Sequence, residues 1–187
     1  MAAILIEPPE SETLSLFEAK NYLRVAHEAD DALISSMIAA ARIQVEARTR
    51  RALITQTWRI LLDRWPSSGV IVSPVSPLRE VIAARVRNRA GEAQEIDADI
   101  FLANGASSPG LIAFDAGRVL HPEQSVAGIE IDIEAGYGAA SDVPAPLIQA
   151  VRLLLARAYE YRGENGRTEI FPDGIAALIA PYRVVSL

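Results

Sequence analysis

The chain has 187 residues, and half of them are hydrophobic. That length is enough for one domain with a buried core, and a charged fraction of 22% argues against a disordered chain. A formal net charge of −6 argues against a protein whose main role is to grip nucleic acid, and the absence of cysteine excludes disulfides, thiolate metal sites and a cysteine nucleophile.

Two helix patterns occupy the first part of the chain. Ser15 and Glu18 have the spacing of a capping box, which predicts a short helix that ends near Val25. Asp30 and Asp31 predict the start of a second helix, because carboxylates are favoured at a helix N-terminus. This second helix extends to about Arg51, with apolar residues at helical spacing at Leu33, Ile34, Met37, Ile38, Ala41 and Val45.

Short β-rich segments separated by turn residues fill the middle of the chain. Their lengths and their proline and glycine boundaries predict a small antiparallel sheet or barrel. Arg89 to Glu92 fits a hairpin turn between two of the segments. The predicted strands are Thr57–Asp63, Val70–Val72, Val81–Asn88, Gln94–Ile96, Phe101–Leu102, Leu111–Phe114 and Gly128–Glu134.

Helical spacing returns after Pro146 and continues to about Arg162. A short helix is predicted over 173–180, and Pro181 ends it and leaves an extended tail. The predicted fold is α+β: a helical core of three main helices plus a short C-terminal helix, interrupted by a small antiparallel β insertion. We predict a single domain over residues 1–187, with the helical core at 1–55 and 139–187 and the β insertion at 56–138.

The N-terminal segment lacks the features of a signal peptide. It has no basic region, and its apolar stretch, Ala2–Ile6, is too short. The most apolar later segment, Leu147 to Ala158, contains two arginines and is too short to span a bilayer. We therefore expect a soluble chain that is made in the cytoplasm and has no membrane partner.

Residue patterns for catalysis are weak. The two histidines, His27 and His121, have no partners at metal-ligand spacing, so we expect no metal site. The glycines from Gly136 to Ser141 follow an apolar strand and precede a helix, which is the context of a dinucleotide-binding loop. The sixth position is serine, however, and a strand-to-helix turn accounts for the glycines better. We predict no catalytic, cofactor-binding or metal-binding residues.

The most regular pattern is the alternation from Ile129 to Glu134. It places three isoleucines on one strand face and Glu130, Asp132 and Glu134 on the other. A solvated sheet face is the simplest interpretation. Alternatively, the carboxylates form an ion-pair ladder between strands or between subunits, with partners on the arginine face formed by Arg85, Arg87 and Arg89.

Taken in chain order, several segments resemble one protein family, the head–tail connector (adaptor) proteins of tailed phages and their relatives in prophages and gene transfer agents. The likeness spans nearly the whole chain, and the order and spacing of the segments are more specific than any one of them. The segments are Leu14–Arg24, Asp30–Ile34, Val45–Trp58, Ala135–Gly138, Asp142–Pro144, Tyr159–Arg162 and Gly174–Arg183.

The resemblance implies a structural protein with no enzymatic activity and no cofactor. It implies a homo-oligomeric ring, typically of twelve copies, that lies beneath the portal, continues its DNA channel and attaches a stopper-like neck or tail protein. DNA would pass without specific binding. Such proteins assemble in the bacterial cytoplasm and end in the neck of the virion or phage-like particle.

The resemblance also points to candidate contact residues. Terminal segments in such families often order on assembly, so the tail is a candidate portal-binding segment: Tyr182, Arg183, Val184, Val185, Ser186 and Leu187. The alternative is a tail folded back on its own core. Candidate inter-subunit or channel charges are Arg85, Arg87, Arg89, Glu130, Asp132 and Glu134.

Two other functions remain open from the residues alone. One is a small nucleotide-binding enzyme that uses the loop from Gly136 to Ser141. The other is a monomeric interaction module whose β insertion binds a ligand.

Overall fold

The computed structural model describes residues 1–162 and 171–184. Over these residues the chain forms two compact units, each with its own buried hydrophobic cluster. The β unit comprises Met1–Pro9, Thr55–Gly136 and Val184. The helical unit comprises Glu10–Ile54 and the described part of Tyr137–Arg183.

Four helices lie in the described part of the helical unit, and their positions agree with the periodicity of the sequence. They are α1 (Leu16–Leu23), α2 (Asp31–Thr49), α3 (Ala145–Glu160) and α4 (Asp173–Ile179). The predicted capping box is confirmed, because the Glu18 N–H donates to Ser15 Oγ at 3.2 Å and the Ser15 N–H donates to Glu18 Oε2 at 2.9 Å. None of the described helices combines the length and apolar character needed to cross a membrane.

The core of the helical unit lies between α2, α3 and α4. Ile34, Ile38 and Val45 recur at helical spacing on α2 and are buried. They belong to one cluster with apolar side chains of the other helices, which include Leu147, Val151, Leu155, Ile175 and Ile179. One apolar stripe per helix is enough to hold the helices together, since burial of each large aliphatic side chain contributes about 1.5–3 kcal/mol.

Eight strands in the described residues form two antiparallel sheets. The five-stranded sheet has the order β1-β2-β8-β4-β5, and the three-stranded sheet has the order β3-β7-β6. The strands are β1 (Ala2–Glu7), β2 (Gln56–Leu62), β3 (Val70–Val72), β4 (Leu78–Arg87), β5 (Ala93–Ile96), β6 (Phe101–Asn104), β7 (Leu111–Phe114) and β8 (Ile129–Ala135).

Isoleucines on β8 form the centre of the β-unit core. Ile129, Ile131 and Ile133 are fully buried, as the alternation in the sequence predicts for one strand face. The aromatic residues lie at another part of the same core: the ring centre of Trp65 is 4.9 Å from that of Phe114, and the Trp65 indole donates to the carbonyl of Leu120 at 2.8 Å.

The predicted arrangement of a three-helix core interrupted by a small β insertion is wrong. The fold is mixed α+β, but its β part contains two sheets and a hydrophobic core of its own. The strand β1, which precedes every helix, pairs with β2 and forms an edge of the five-stranded sheet. The physical reason is the apolar run Ala2–Ile6, which satisfies its backbone hydrogen bonds on β2 although the rest of that sheet begins only at Gln56, after both N-terminal helices.

Candidate functional site

Arginines on both neighbours of β8 cover the carboxylates of its polar face. Arg59 on β2 is paired in register with Asp132, and Arg85 on β4 is paired with Glu130. Glu130 is 5% exposed and Asp132 is 7% exposed. We call this group of charges the ion-pair ladder, which consists of Glu130, Asp132 and Glu134 with Arg59, Arg79, Arg85 and Arg87.

The contacts of the ladder are short and directional. Arg59 binds Asp132 through two hydrogen bonds of 2.7 and 3.0 Å, and Arg85 Nη1 donates to the same carboxylate at 2.8 Å. Arg87 Nε donates to Glu130 at 2.6 Å. Two-pronged contacts between a guanidinium and a carboxylate are among the strongest that side chains make. The ladder therefore joins β2, β8 and β4 within one chain.

The environment of Asp132 differs from the solvated face that the sequence favoured. Burial raises the pKa of this carboxyl, but hydrogen bonds from Arg59 and Arg85 outweigh it and hold the pKa below its usual value. The reason for the difference is the central place of β8 in the sheet, where long arginine side chains from both neighbouring strands reach over it.

The remaining predicted charge, Arg89, lies outside the ladder. It follows the end of β4 and is exposed, and its backbone N–H donates to the carboxylate of Glu123 at 3.0 Å. The structure therefore brings together five of the six predicted charges, Arg85, Arg87, Glu130, Asp132 and Glu134, and leaves Arg89 apart from them.

The start of the C-terminal segment is held by a hydrogen bond to Tyr182. Tyr182 does not lie in an extended tail as predicted, because Ala180–Tyr182 forms a 3₁₀ turn after α4. Arg51 Nε donates to the carbonyl oxygen of Tyr182 at 2.6 Å. Beyond the turn, Arg183 is extended and exposed and Val184 is half-buried, whereas the predicted tail residues Val185, Ser186 and Leu187 lie outside the described residues.

Tyr137 is the third member of the group around Arg51. The guanidinium carbon of Arg51 lies 5.9 Å from the centre of the Tyr137 ring. Burial raises the pKa of the Tyr137 hydroxyl, and the charge and hydrogen bond of Arg51 partly offset that effect. Three of the segments that carry the family resemblance thus meet at one place, although they are far apart in the sequence.

The outward face of α2, defined as Ala32, Ser36, Ala40, Ile43 and Ala47, is exposed and uncharged. It lies on the side of the helix opposite the buried Ile34, Ile38 and Val45. Ile43 is 54% exposed, and Ser36 Oγ donates to the carbonyl of Leu33 at 2.7 Å within its own helix. A solvent-facing helix side normally carries charged or strongly polar residues, so this face has the composition of a contact surface.

The charged residues of α2 engage other parts of the helical unit. Arg42 is buried and donates to Glu12 at 2.8 Å and to Glu46 at 2.7 Å. Asp31 pairs with Lys20, and Arg48 lies over the ring of Phe171 at 5.1 Å. These charged side chains of α2 thus bind partners within the helical unit, and the outward face of the helix carries small and apolar side chains.

Another pair of resemblance segments meets at the start of α2. Asp30 accepts hydrogen bonds from the Tyr159 hydroxyl at 2.7 Å and from Arg162 Nη1 at 3.0 Å. The Tyr159 hydrogen bond is the main cause that lowers the pKa of Asp30. These segments therefore tie the beginning of α2 to the end of α3, which is a structural role.

The glycine loop that suggested nucleotide binding is occupied by a side chain of the protein. Asp142 Oδ2 accepts a hydrogen bond from the Ala139 N–H at 2.9 Å, and a Cβ atom on Gly138 would lie 2.5 Å from the same oxygen. A carboxylate at this position repels phosphate, so the loop does not suit a nucleotide. Over residues 1–162 and 171–184, no three acidic or histidine side chains form a group that could hold a metal ion.

Sequence reasoning missed two of these features. It did not identify Arg59 and Arg79 as partners of the β8 carboxylates, because the pairing of β2 and β4 with β8 is not encoded locally. It also missed the outward face of α2, although the uncharged residues at positions 36, 40, 43 and 47 are a signal visible in the sequence.

Comparisons with known proteins identify a family. The family described as phage gp6-like head-tail connector protein matches residues 13–106. No curated protein sequence matches the chain.

Three similar solved structures come from gene transfer agent (GTA) particles, and the alignment covers 100% of this chain and 97% of the other chain in each case. In the neck of an empty GTA particle computed with C6 symmetry, the similar chain has a TM-score of 0.82 and 30% identity. The corresponding values are 0.81 and 30% for the virion of a native GTA particle, and 0.80 and 29% for the neck of a native GTA particle computed with C12 symmetry.

Proposed function

Because the chain belongs to the family of phage gp6-like head-tail connector proteins, we propose that it forms a ring of twelve copies in the neck of a phage-like particle. The chain is a structural head–tail connector. In the proposed assembly it lies beneath the portal, and a stopper-like neck or tail protein binds its other side. The necks of the similar structures carry C6 and C12 symmetry, and both symmetries are compatible with twelve copies.

The single observation that carries the ring proposal is the uncharged outward face of α2. In a chain with 24 acidic and 18 basic side chains, an exposed helix side without charge over most of its length needs a covering surface. In a ring, the neighbouring copy of the chain covers this face. Small side chains such as Ala40 allow a neighbouring backbone to approach closely, which favours packing against α2.

The proposed role is mechanical and non-catalytic. A channel that lets DNA slide must not hold phosphates, and the net charge of −6 per copy suits that requirement. Six charged residues were predicted to contact neighbouring copies or to line the channel. Five of them bond within the ladder of one chain, so Arg89 is the one for which we still propose this role. The chain acts as one connector domain that assembles in the bacterial cytoplasm and remains in the particle neck.

The tail from Tyr182 to Leu187 is the proposed portal-binding segment. Its sequence after Pro181 is apolar and β-branched, which suits addition to a groove or a sheet edge of another protein. Of the described residues of this segment, Arg183 is exposed directly after the 3₁₀ turn, and Tyr182 and Val184 are half-buried.

The test is to mix the purified chain with purified portal rings of the same particle and to examine the product by electron microscopy. We expect a ring of twelve copies on one side of the portal. A chain that stays monomeric and unattached would contradict the proposal and favour an interaction module. A monomer whose melting temperature rises with added nucleotide would favour the enzyme alternative instead.

A further inference from the structure

The small sheet formed by β3, β7 and β6 is apolar on both of its faces. One face belongs to the core of the β unit, where Ile71, Ile112 and Phe114 are buried. The pairing of the strands places the alternate side chains together on the opposite face, which we call the open face of the small sheet. Its members are Val70, Val72, Leu102, Asn104, Leu111 and Ala113.

The open face meets solvent although its six residues carry no charge. Leu102 is 72% exposed and Val72 is 42% exposed, Asn104 is exposed, and the other three residues are half-buried. An antiparallel sheet with one solvated face normally alternates apolar with polar residues and turns the polar ones to water. This sheet lacks that alternation, so its open face has the composition of a surface that another protein covers.

The small sheet is held firmly within the β unit. Gly110, directly before β7, lies so close to β4 that a Cβ atom at this position would be 2.5 Å from Cβ of Leu78. On the core side, the ring centres of Phe101 and Phe114 are 6.2 Å apart. A preformed face loses little conformational entropy when it binds, which favours a stable contact.

A head-to-tail ring needs two different contact surfaces on every copy. All copies have the same orientation around the ring, so the surface on one side of a copy meets a different surface of its neighbour. The proposed ring uses the outward face of α2 as one of the two surfaces. The second surface has to pack against small, uncharged side chains without burying an unpaired charge.

We propose that the open face of the small sheet on one copy packs against the outward face of α2 on the neighbouring copy. This inference rests on the proposed ring. The two faces match in chemistry, since the residues that define each of them are uncharged. They also match in width, since an α-helix is about 10 Å across and three strands about 4.8 Å apart span a similar distance. The projecting Leu102 and Val72 pack where Ala40 and the other small side chains of α2 leave room.

Strand β1 also exposes apolar side chains, but it fits this contact less well. Ile4, Leu5 and Ile6 are all exposed on this edge strand of the five-stranded sheet. Successive side chains of a strand point to opposite faces, so these three residues do not form one continuous surface. The open face of the small sheet is continuous across three strands, which is the form that a helix can cover.

Cross-linking of two single-cysteine variants tests the contact. The natural chain has no cysteine, so Ala40→Cys and Leu102→Cys each carry one thiol. Equal amounts of the two variants are assembled on purified portal rings and treated with a short bismaleimide, which spans a wider gap than a disulfide does. We expect at least about tenfold more covalent dimer of this chain from the mixture than from either variant alone, because identical residues do not face each other in a head-to-tail contact.

Ala29→Cys replaces Ala40→Cys in the control mixture. Ala29 is exposed but lies in the turn before α2, so it should give no additional dimer with Leu102→Cys.

The Leu102→Glu substitution gives a second, independent measurement. It should weaken ring assembly on the portal at least about tenfold, because the carboxylate would lose its water in the contact, while the free chain keeps its fold because residue 102 is exposed. Val126→Glu is the matched control. Val126 is 68% exposed and lies outside the open face, so this variant should assemble as the wild-type chain does.

The outcomes separate this contact from the ring itself. If electron microscopy shows intact rings but the mixture gives no additional dimer, or if a folded Leu102→Glu variant assembles normally, the contact is overturned and the ring proposal stands. If the wild-type chain forms no ring on the portal, the ring proposal fails, and the proposed contact fails with it.

Discussion

The Asp132→Ala substitution is expected to lower the free energy of unfolding by about 3 kcal/mol. Asp132 accepts hydrogen bonds from both Arg59 and Arg85, and its removal leaves two guanidinium groups without their main partner in a poorly hydrated place. The loss of one partner of a buried ion pair costs about 3–5 kcal/mol. The expected value is at the lower end because both arginines are partly exposed and still face Glu130.

Glu95→Ala is the matched control for this prediction. Glu95 pairs with the same arginine, Arg85, at 3.1 Å, but its side chain is 69% exposed. Exposed pairs contribute about 0–1 kcal/mol, so this variant should unfold almost as the wild-type chain does. Urea denaturation near neutral pH measures both values. Equal losses in the two variants would show that burial of the ladder does not determine its strength.

The stabilisation by Asp132 should depend on pH. Because its pKa in the folded chain lies below its usual value, the unfolded chain binds more protons in mildly acidic solution, and stability falls as pH falls. The contribution is complete above the pKa of the unfolded state and is lost as pH falls through the folded pKa. The difference in stability between the wild-type chain and Asp132→Ala should therefore shrink in acid.

The Ala40→Glu substitution should weaken ring assembly at least about 100-fold while the chain stays folded. Ala40 is exposed near the middle of the outward face of α2, and glutamate is a good helix former, so the isolated chain should tolerate it. In a ring the same carboxylate would lose its water without gaining a partner. An unpaired charge in a contact costs several kcal/mol, and each 1.4 kcal/mol is a factor of about ten in affinity.

Ala29→Glu controls for the added negative charge. Ala29 is also exposed but lies in the turn before α2, outside its outward face. The number of copies bound per portal, measured as protein concentration is varied, should drop for Ala40→Glu and stay unchanged for Ala29→Glu. Normal assembly of a correctly folded Ala40→Glu variant would mean that copies meet through a different surface.

Local signals predicted most of the individual elements. The capping box at Ser15 and Glu18, the apolar spacing of α2 and the alternation on β8 each depend on neighbouring residues, and each is present in the structure. The arrangement of these elements was predicted less well. Strand β1 was missed because a five-residue apolar run becomes a strand only through its partner β2, and the two are separated by both N-terminal helices.

The contacts of the candidate site were also not predictable from local sequence, because they join strands and segments that are far apart in the chain. The sequence placed the carboxylates of β8 on one face, but their burial depends on Arg59 and Arg85 from neighbouring strands. The contact of Arg51 with Tyr182 likewise depends on the meeting of distant segments. By contrast, the family resemblance was visible in the sequence, because it depends on the order and spacing of short segments and not on which of them meet in space.

Cysteine labelling tests most directly whether copies of the chain contact one another through the outward face of α2. The natural chain has no cysteine, so the Ala40→Cys and Ala29→Cys variants each carry a single reactive thiol. The measurement is the rate of maleimide labelling in the free chain and in the ring assembled on the portal. We predict that assembly slows labelling of Ala40→Cys at least about tenfold, as for a residue in the water-excluding core of an interface, and leaves Ala29→Cys unchanged. Equal labelling rates of Ala40→Cys in the free and assembled states would contradict the claim.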